Sequence, residues 1–215
     1  MPLAGYYVLD ERRVTMRRKI GIICMILGAA LVLGALSIFL YNQHEASEAE
    51  KSVSDILPQL QDEIDSDNTS PTDNEGINYS GDMPTIEIDG YEYIGYLSIP
   101  SLGLELPVMA DWSYPQLRIA PCRYSGSIWS DDMVLMAHNY ARHFGQLSRL
   151  SIGEEVIFKD VNGITITYEV MAIDTLNPTE VEDMTSGEYD LTLFTCTYGG
   201  KSRVTVRCDR LEKGL

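Results

Sequence analysis

The feature that most restricts this chain is an uncharged run near its start, "IGIICMILGAALVLGALSIFLY", residues 20–41. At about 1.5 Å per residue, a helix of that length reaches roughly 33 Å, enough to cross the hydrocarbon core of a bilayer. The basic cluster "RRVTMRRK" directly precedes it. Positive charge is retained on the cytoplasmic side, so the run predicts a single-pass membrane anchor with its N-terminus inside and residues 42–215 outside. A cleaved signal peptide would have an apolar core of about 7–15 residues and a small-x-small site. This run is longer, and the following "YNQHEASEAE" offers no such site.

Charge is spread unevenly along the chain. The formal net charge is -16, yet residues 1–19 are basic, with Arg12, Arg13, Arg17, Arg18 and Lys19 against Asp10 and Glu11. The remainder is therefore strongly acidic. A body of that sign is a poor partner for polyanions, which excludes nucleic acid as a binding partner.

An outward-facing chain meets an oxidising compartment. Of the four cysteines, Cys24 lies in the apolar run, and Cys122, Cys196 and Cys208 lie beyond it. Three is odd, so any disulfide leaves one thiol over, and such a thiol is a candidate reactive group. A Cys122–Cys208 bridge is one expectation from the compartment.

Four segments follow from composition: a cytoplasmic basic N-terminus (residues 1–19), the transmembrane anchor (20–41), an acidic flexible spacer (42–85) and a folded domain (86–215). The spacer reading rests on eleven acids against one lysine in residues 42–82, and on the polar "DEIDSDNTSPTDNEGINYSGDMP", which cannot bury enough surface to offset ordering. Helical turns in "ASEAEKSVSDILPQLQDEI" are expected to break near Pro58. The folded domain reads mainly as β. "YEYIGYLSIP", "LELPVM" and "DMVLMAH" alternate or run apolar as strands do, "EEVIFKDVNGITITYEVMAI" is a hairpin through Asn162-Gly163, and "DLTLFTC" and "RVTVRCDR" form a last pair. "SYPQLRI" and "HFGQLSRL" read as short helices. Seven or eight strands with short helical links predict a closed or nearly closed β-barrel.

Strand ends carry the chemistry. Cys196 closes "DLTLFTC", so it lies at a sheet rim on the face of Thr192 and Phe194. A free cysteine is commonly a small buried apolar residue, but a thiol at a rim with a proton partner is a nucleophile. Among His44, His138 and His143, only His138 ends an apolar strand at another rim; His143 reads as exposed in a helical turn. Arg203 stands across the tight "TYGGKS" loop from Cys196. A permanent cation there favours thiolate and can hold an oxyanion. Arg207, on the same face, is the fallback cation. Asp111-Trp112 reads as structural.

Together these features resemble the sortases, cysteine transpeptidases of Gram-positive bacteria. "TLFTC" fits the family's TLxTC signature, "RVTV" led by Arg203 fits its last strand, "MVLMAHNYARHFGQL" resembles its histidine segment, with Ala137 where many members have glycine, and "IGYLSIPSLGLELPV" resembles its opening strands. The resemblance covers residues 91–210. It implies a sortase-type barrel that recognises an LPxTG-like sorting signal on secreted proteins. Cys196 would form a thioacyl enzyme, His138 would exchange protons with the leaving and incoming amines, Arg203 would hold the substrate backbone and oxyanion, and Thr195 would contact the signal peptide. The acyl chain would pass to a cell-wall precursor or a pilin lysine. Within the family the motifs lean toward the B-type enzymes. No cofactor and no metal are expected, because no C-x-x-C, H-x-x-H or EF-hand spacing occurs. Two rival readings are an L,D-transpeptidase, whose motif "FTCTYGGKSR" does not fit, and a non-catalytic anchored barrel that binds a partner, with Cys196 inert.

Overall fold

In the computed structural model, residues 4–67 and 82–211 are described, with side chains from residue 16 onward. Two units are defined, residues 1–45 and 46–215.

The first unit is helical. Helix α1, Ala4–Asp67, contributes to both units. Within Met16–Ser66 its most apolar window has a mean hydropathy of 2.7, and none of that window is buried. It is long and apolar enough to cross a membrane. Lipid would cover side chains such as Ile23, Leu31 and Phe39, which are exposed in the chain alone.

The second unit is built on strands β1 (Ile86–Ile88), β2 (Tyr91–Ile99), β3 (Leu104–Met109), β4 (Cys122–Ser125), β5 (Met133–Ala137), β6 (Glu155–Asp160), β7 (Thr165–Leu176), β8 (Leu191–Cys196) and β9 (Arg203–Arg210). They pair in the order β1-β2-β3-β4-β5-β8-β9-β7-β6, and β6 returns to pair with β2. Strands β2 to β9 thus close an eight-stranded barrel, as expected from the period-two pattern, and β1 is an added hairpin strand along the first residues of β2. Closure removes the exposed edges that an open sheet would carry. Gly95 permits it. A side-chain carbon at Gly95 would lie 2.1 Å from the Lys159 carbonyl oxygen, where β6 meets β2.

The Asn162-Gly163 hairpin forms, with the Asp160 carboxylate accepting from the Asn162 and Ile164 amides at 3.0 and 2.8 Å. Alternate residues of each strand fill the interior, among them Leu97, Leu106, Leu135, Phe158, Tyr168, Leu193 and Val206. Helix α2 (Tyr114–Leu117), a 3-10 turn at Phe144–Arg149, and helix α3 (Val181–Met184) are the short helical links.

The spacer expectation is corrected for residues 46–67. These residues are helical, and the helix passes through Pro58 without ending. Ala49, Val53, Ile56, Leu60 and Ile64 are buried, a stripe at helical spacing. Ile56, Leu60 and Ile64 pack with Ile88, Tyr93, Met109 and Leu117. Burying each such aliphatic side chain contributes about 1.5–3 kcal/mol, which together exceeds the cost of about 3 kcal/mol for an internal proline. The folded unit thus begins some forty residues earlier than the strand pattern alone indicates. Residues 68–81, which hold most of the polar stretch, lie outside the described residues.

Candidate active site

Two strand ends meet through a parallel pairing. Strands β5 and β8 run side by side with Ala137 opposite Thr195, so the next residues along, His138 and Cys196, arrive at the same rim. The Thr195 hydroxyl donates to the Ala137 carbonyl oxygen at 2.8 Å and is buried. Thr195 therefore clamps the two strand ends together.

His138 opens a tight turn. Its carbonyl accepts from the Phe144 amide at 3.2 Å, and the Tyr140 carbonyl accepts from the amides of His143 and Gly145 at 3.0 Å each. A side-chain carbon at Gly145 would fall 2.4 Å from the Asn139 carbonyl oxygen, so the turn is built around a glycine. The rings of His138 and Tyr140 are 4.9 Å apart, and those of Tyr140 and His143 are 5.5 Å apart. His143, expected to be exposed, is fully buried, because the turn carries it inward against Tyr140. Burial first, and the neighbouring His138 second, push its pKa down to about 4. It is a neutral imidazole across the physiological range. Phe144 and Leu147 from the following 3-10 turn enter the barrel core and fix the segment.

The third group comes from the antiparallel neighbour. Cys196 is paired directly with Arg203 in the β8–β9 ladder. The Arg203 guanidinium donates to the carbonyls of Gly200 and Ser202 at 3.3 and 3.2 Å. The intervening loop is tied by Thr197, whose amide donates to the Ser202 carbonyl at 2.9 Å. Arg207, the fallback cation, is committed elsewhere. It is buried and donates to the Met184 carbonyl, the Thr192 hydroxyl and the Asp183 carbonyl at 3.2, 3.1 and 2.6 Å. It fastens α3 to the barrel wall, a role that sequence spacing does not reveal.

Cys196 is partly exposed, and its thiol is free. Cys122 and Cys208 are also free and buried, so the expected bridge between them does not form. They pack in separate clusters, on strands that are not neighbours. Burial pushes the Cys122 thiol up to about 12 and raises that of Cys208 as well, which leaves both inert at neutral pH. Among the described residues no group of three or more His, Cys, Asp or Glu could hold a metal ion.

Two surfaces adjoin Cys196. On the outer wall, Phe194 is buried with Val134 and Met184, with Tyr124, Met136 and Leu176 packed around them. The Phe194 ring is 5.5 Å from Tyr124, whose ring is 5.7 Å from that of Trp112. Trp112 is 41% exposed, so the pair Asp111-Trp112 contributes an aromatic to this wall. At the barrel rim lies a cleft of ≈ 290 Å³ bordered by Asn139, Phe144, Gly145, Ser148, Thr195, Cys196, Thr197, Tyr198 and Val204.

A closed eight-stranded barrel with a lone accessible thiol at the end of one strand, a histidine at the end of its parallel neighbour and an arginine paired across the next defines a class of cysteine enzyme. A family model for the sortase domain matches residues 97–211, more than half of the chain, and the chain belongs to the sortase family. It is a cysteine transpeptidase. Among solved structures it is similar to sortase C1 of Streptococcus suis, at 26% identity over 72% of this chain and 95% of that one, with a TM-score of 0.50. Sortase C1 of Streptococcus agalactiae shares the fold at 23% identity over 81% and 98%, with a TM-score of 0.51. Sortase C of Streptococcus pneumoniae does so at 22% identity over 77% and 95%, with a TM-score of 0.51. No curated protein matches the chain. All three named structures are sortases C, so the lean of the motifs toward B-type enzymes has no counterpart among them. Only the single helical turn of α3 precedes the last strand pair.

Proposed function

We propose that this chain cleaves an LPxTG-like sorting signal on secreted proteins and transfers the acyl portion to a primary amine. Cys196 is the nucleophile. Its sulfur attacks the scissile carbonyl, the amide bond breaks, and the chain upstream of the cut is held as a thioester. His138 gives its proton to the departing amine and takes one from the incoming amine. Arg203 neutralises the oxyanion that forms on the way. The thioester conserves the energy of the cleaved amide, so no nucleotide is consumed. The single observation that carries the reading is the register. Ala137 opposite Thr195 and Cys196 opposite Arg203 deliver a histidine, a thiol and a guanidinium to one rim.

The apolar run within α1 anchors the enzyme in the membrane, with the basic residues 12–19 inside and the barrel outside, where secreted substrates pass. Some of the similar structures carry pili in their names, among them a pilus-related sortase C of group B Streptococcus and the Streptococcus pneumoniae sortase C described for its pilin substrate specificity. A pilin lysine is therefore an acceptor to test beside a cell-wall precursor.

The deciding experiment incubates the protein with a library of LPxTG-like peptides and several amines and weighs the products. Cleavage should be matched by a covalent adduct at Cys196 that a methanethiosulfonate reagent prevents. A Cys196→Ala protein that still cut peptide would remove the assignment.

A further inference from the structure

The turn after β5 sets three rings in a row. The ring centroids of His138 and Tyr140 are 4.9 Å apart, with the planes 34° from parallel. Those of Tyr140 and His143 follow at 5.5 Å and 49°. Both distances fall in the range of about 4.5–7 Å over which aromatic pairs attract. The row runs inward: His138 and Tyr140 are half-buried, and His143 is fully buried. Asn139, between the first two, is exposed. The backbone is tied at the middle ring, because the Tyr140 carbonyl accepts from the amides of both His143 and Gly145. Tyr140 is thus set by the turn itself.

His138 needs an aimed ring. Pairing of Ala137 with Thr195 delivers its backbone to the rim. An imidazole on a fixed backbone still turns about two side-chain bonds. Proton exchange with an amine requires a ring nitrogen within hydrogen-bond reach of it. Packing one imidazole face against Tyr140 removes part of that freedom and keeps the ring near one plane. Tyr140 is backed in turn by His143, whose burial keeps it neutral, so the backing sets no positive charge beside His138 while that ring carries its proton. We propose that Tyr140 is a positioning residue for the transfer reaction: its ring, backed by His143, holds the His138 imidazole in the plane from which it exchanges protons with the leaving and incoming amines. The inference rests on the assignment of His138 as the proton-transfer group. Tyr140 acts through His138, and the contact is between ring faces, so the role belongs to the aromatic ring and not to the phenol hydroxyl.

The test uses the full chain in detergent with a cleavable LPxTG-like peptide. Tyr140→Leu keeps an apolar side chain and removes the ring. It should lower kcat about ten-fold, the size of effect an aromatic contact can supply, and leave KM for the peptide within about two-fold, as expected for an interaction used in the transition state alone. Tyr140→Phe restores the ring without the hydroxyl and should recover most of the rate. NMR of histidine-labelled protein reads the stack directly in the wild type, with the His138 signals assigned by their loss in His138→Gln. The tyrosine ring current should displace the His138 ring protons upfield, and Tyr140→Leu should abolish the displacement. The wild-type spectrum decides even where the leucine variant fails to fold: His138 ring protons at the position of a solvated histidine overturn the stack. A folded Tyr140→Leu protein with the wild-type kcat overturns the positioning role, as does a Tyr140→Phe protein as slow as the leucine variant. A loss confined to KM makes Tyr140 a peptide contact and overturns it too. All of these failures leave His138 as the proton-transfer group. A wild-type protein that shows the displaced protons yet consumes no peptide overturns that assignment, and the positioning role with it.

Discussion

Cys196 and Arg203 are direct partners across the β8–β9 ladder, whereas Arg207, on the same face of β9, is paired with Thr192. Two arginines four residues apart are thereby given different work. One stands beside the thiol with its guanidinium resting on loop carbonyls. The other is buried and joins α3 to the wall.

Arg203→Ala should lower kcat/KM for peptide cleavage about 10²–10³-fold, the usual loss for one oxyanion donor. Stability should stay within about 0.5 kcal/mol, as for most partly exposed positions. Arg207→Ala should do the reverse. It leaves the Met184 carbonyl and the Thr192 hydroxyl without their donor, and should cost about 3 kcal/mol, or roughly 6–12 °C in Tm for a unit of this size. Parallel measurements of peptide cleavage and thermal unfolding check both. Equal effects of the two substitutions on turnover would defeat the assignment of Arg203.

Thr195→Val keeps the shape of the side chain and deletes its hydroxyl. The Ala137 carbonyl then loses the bond it accepts at 2.8 Å, at a cost of about 1–3 kcal/mol. With the two strand ends unclamped, His138 and Cys196 lose their mutual placement, so kcat should fall by more than ten-fold while KM for the peptide changes little. Thr195→Ser, which restores the donor, should recover most of the rate. If valine and serine behaved alike, the clamp would have no catalytic consequence.

The barrel was legible because its signals are local. Alternation in β2, β8 and β9 and the Asn162-Gly163 turn are written in short windows, and the strand-end positions of Cys196 and His138 follow from them. The parts that escaped depend on distant partners. The hydroxyl of Thr195 is spent on Ala137, 58 residues away, through a parallel pairing that no hairpin signal announces. Arg207 is held by the carbonyls of α3, a contact made by residues more than twenty positions earlier in the chain. The stripe from Ala49 to Ile64 was masked by the acids around it and by Pro58, although its spacing of three and four was present in the sequence.

That stripe makes residues 46–67 part of the enzyme's core. Leu60 is fully buried among Tyr93, Met109 and Leu117, so Leu60→Ala should cost about 2–5 kcal/mol. A soluble fragment beginning at residue 46 should unfold in one cooperative transition. One beginning at residue 86 exposes the apolar surface that the helix covers, and should melt lower and self-associate. Calorimetry and light scattering on the two fragments decide the matter, and equal melting temperatures would return residues 46–67 to the role of a spacer.

His143 gives the fold a pH dependence of definite sign. In the unfolded chain a histidine titrates near 6.5, and in the fold burial lowers this one to about 4. Above pH 6.5 it is neutral in both states and contributes no slope. Between 6.5 and 4 the unfolded chain takes up a proton that the folded chain refuses, so stability falls as the pH falls. From pH 7 to pH 5 the loss should be about 2 kcal/mol. His143→Phe keeps an aromatic ring beside Tyr140 and cannot titrate. The difference in unfolding free energy between the two proteins should therefore shift in favour of the variant by about that amount over the same interval, with the carboxylates common to both cancelling. Urea unfolding at pH 7, 6 and 5 measures it. Parallel pH profiles for the two proteins would mean that His143 is solvated in solution and that the turn carrying His138 is not closed as described.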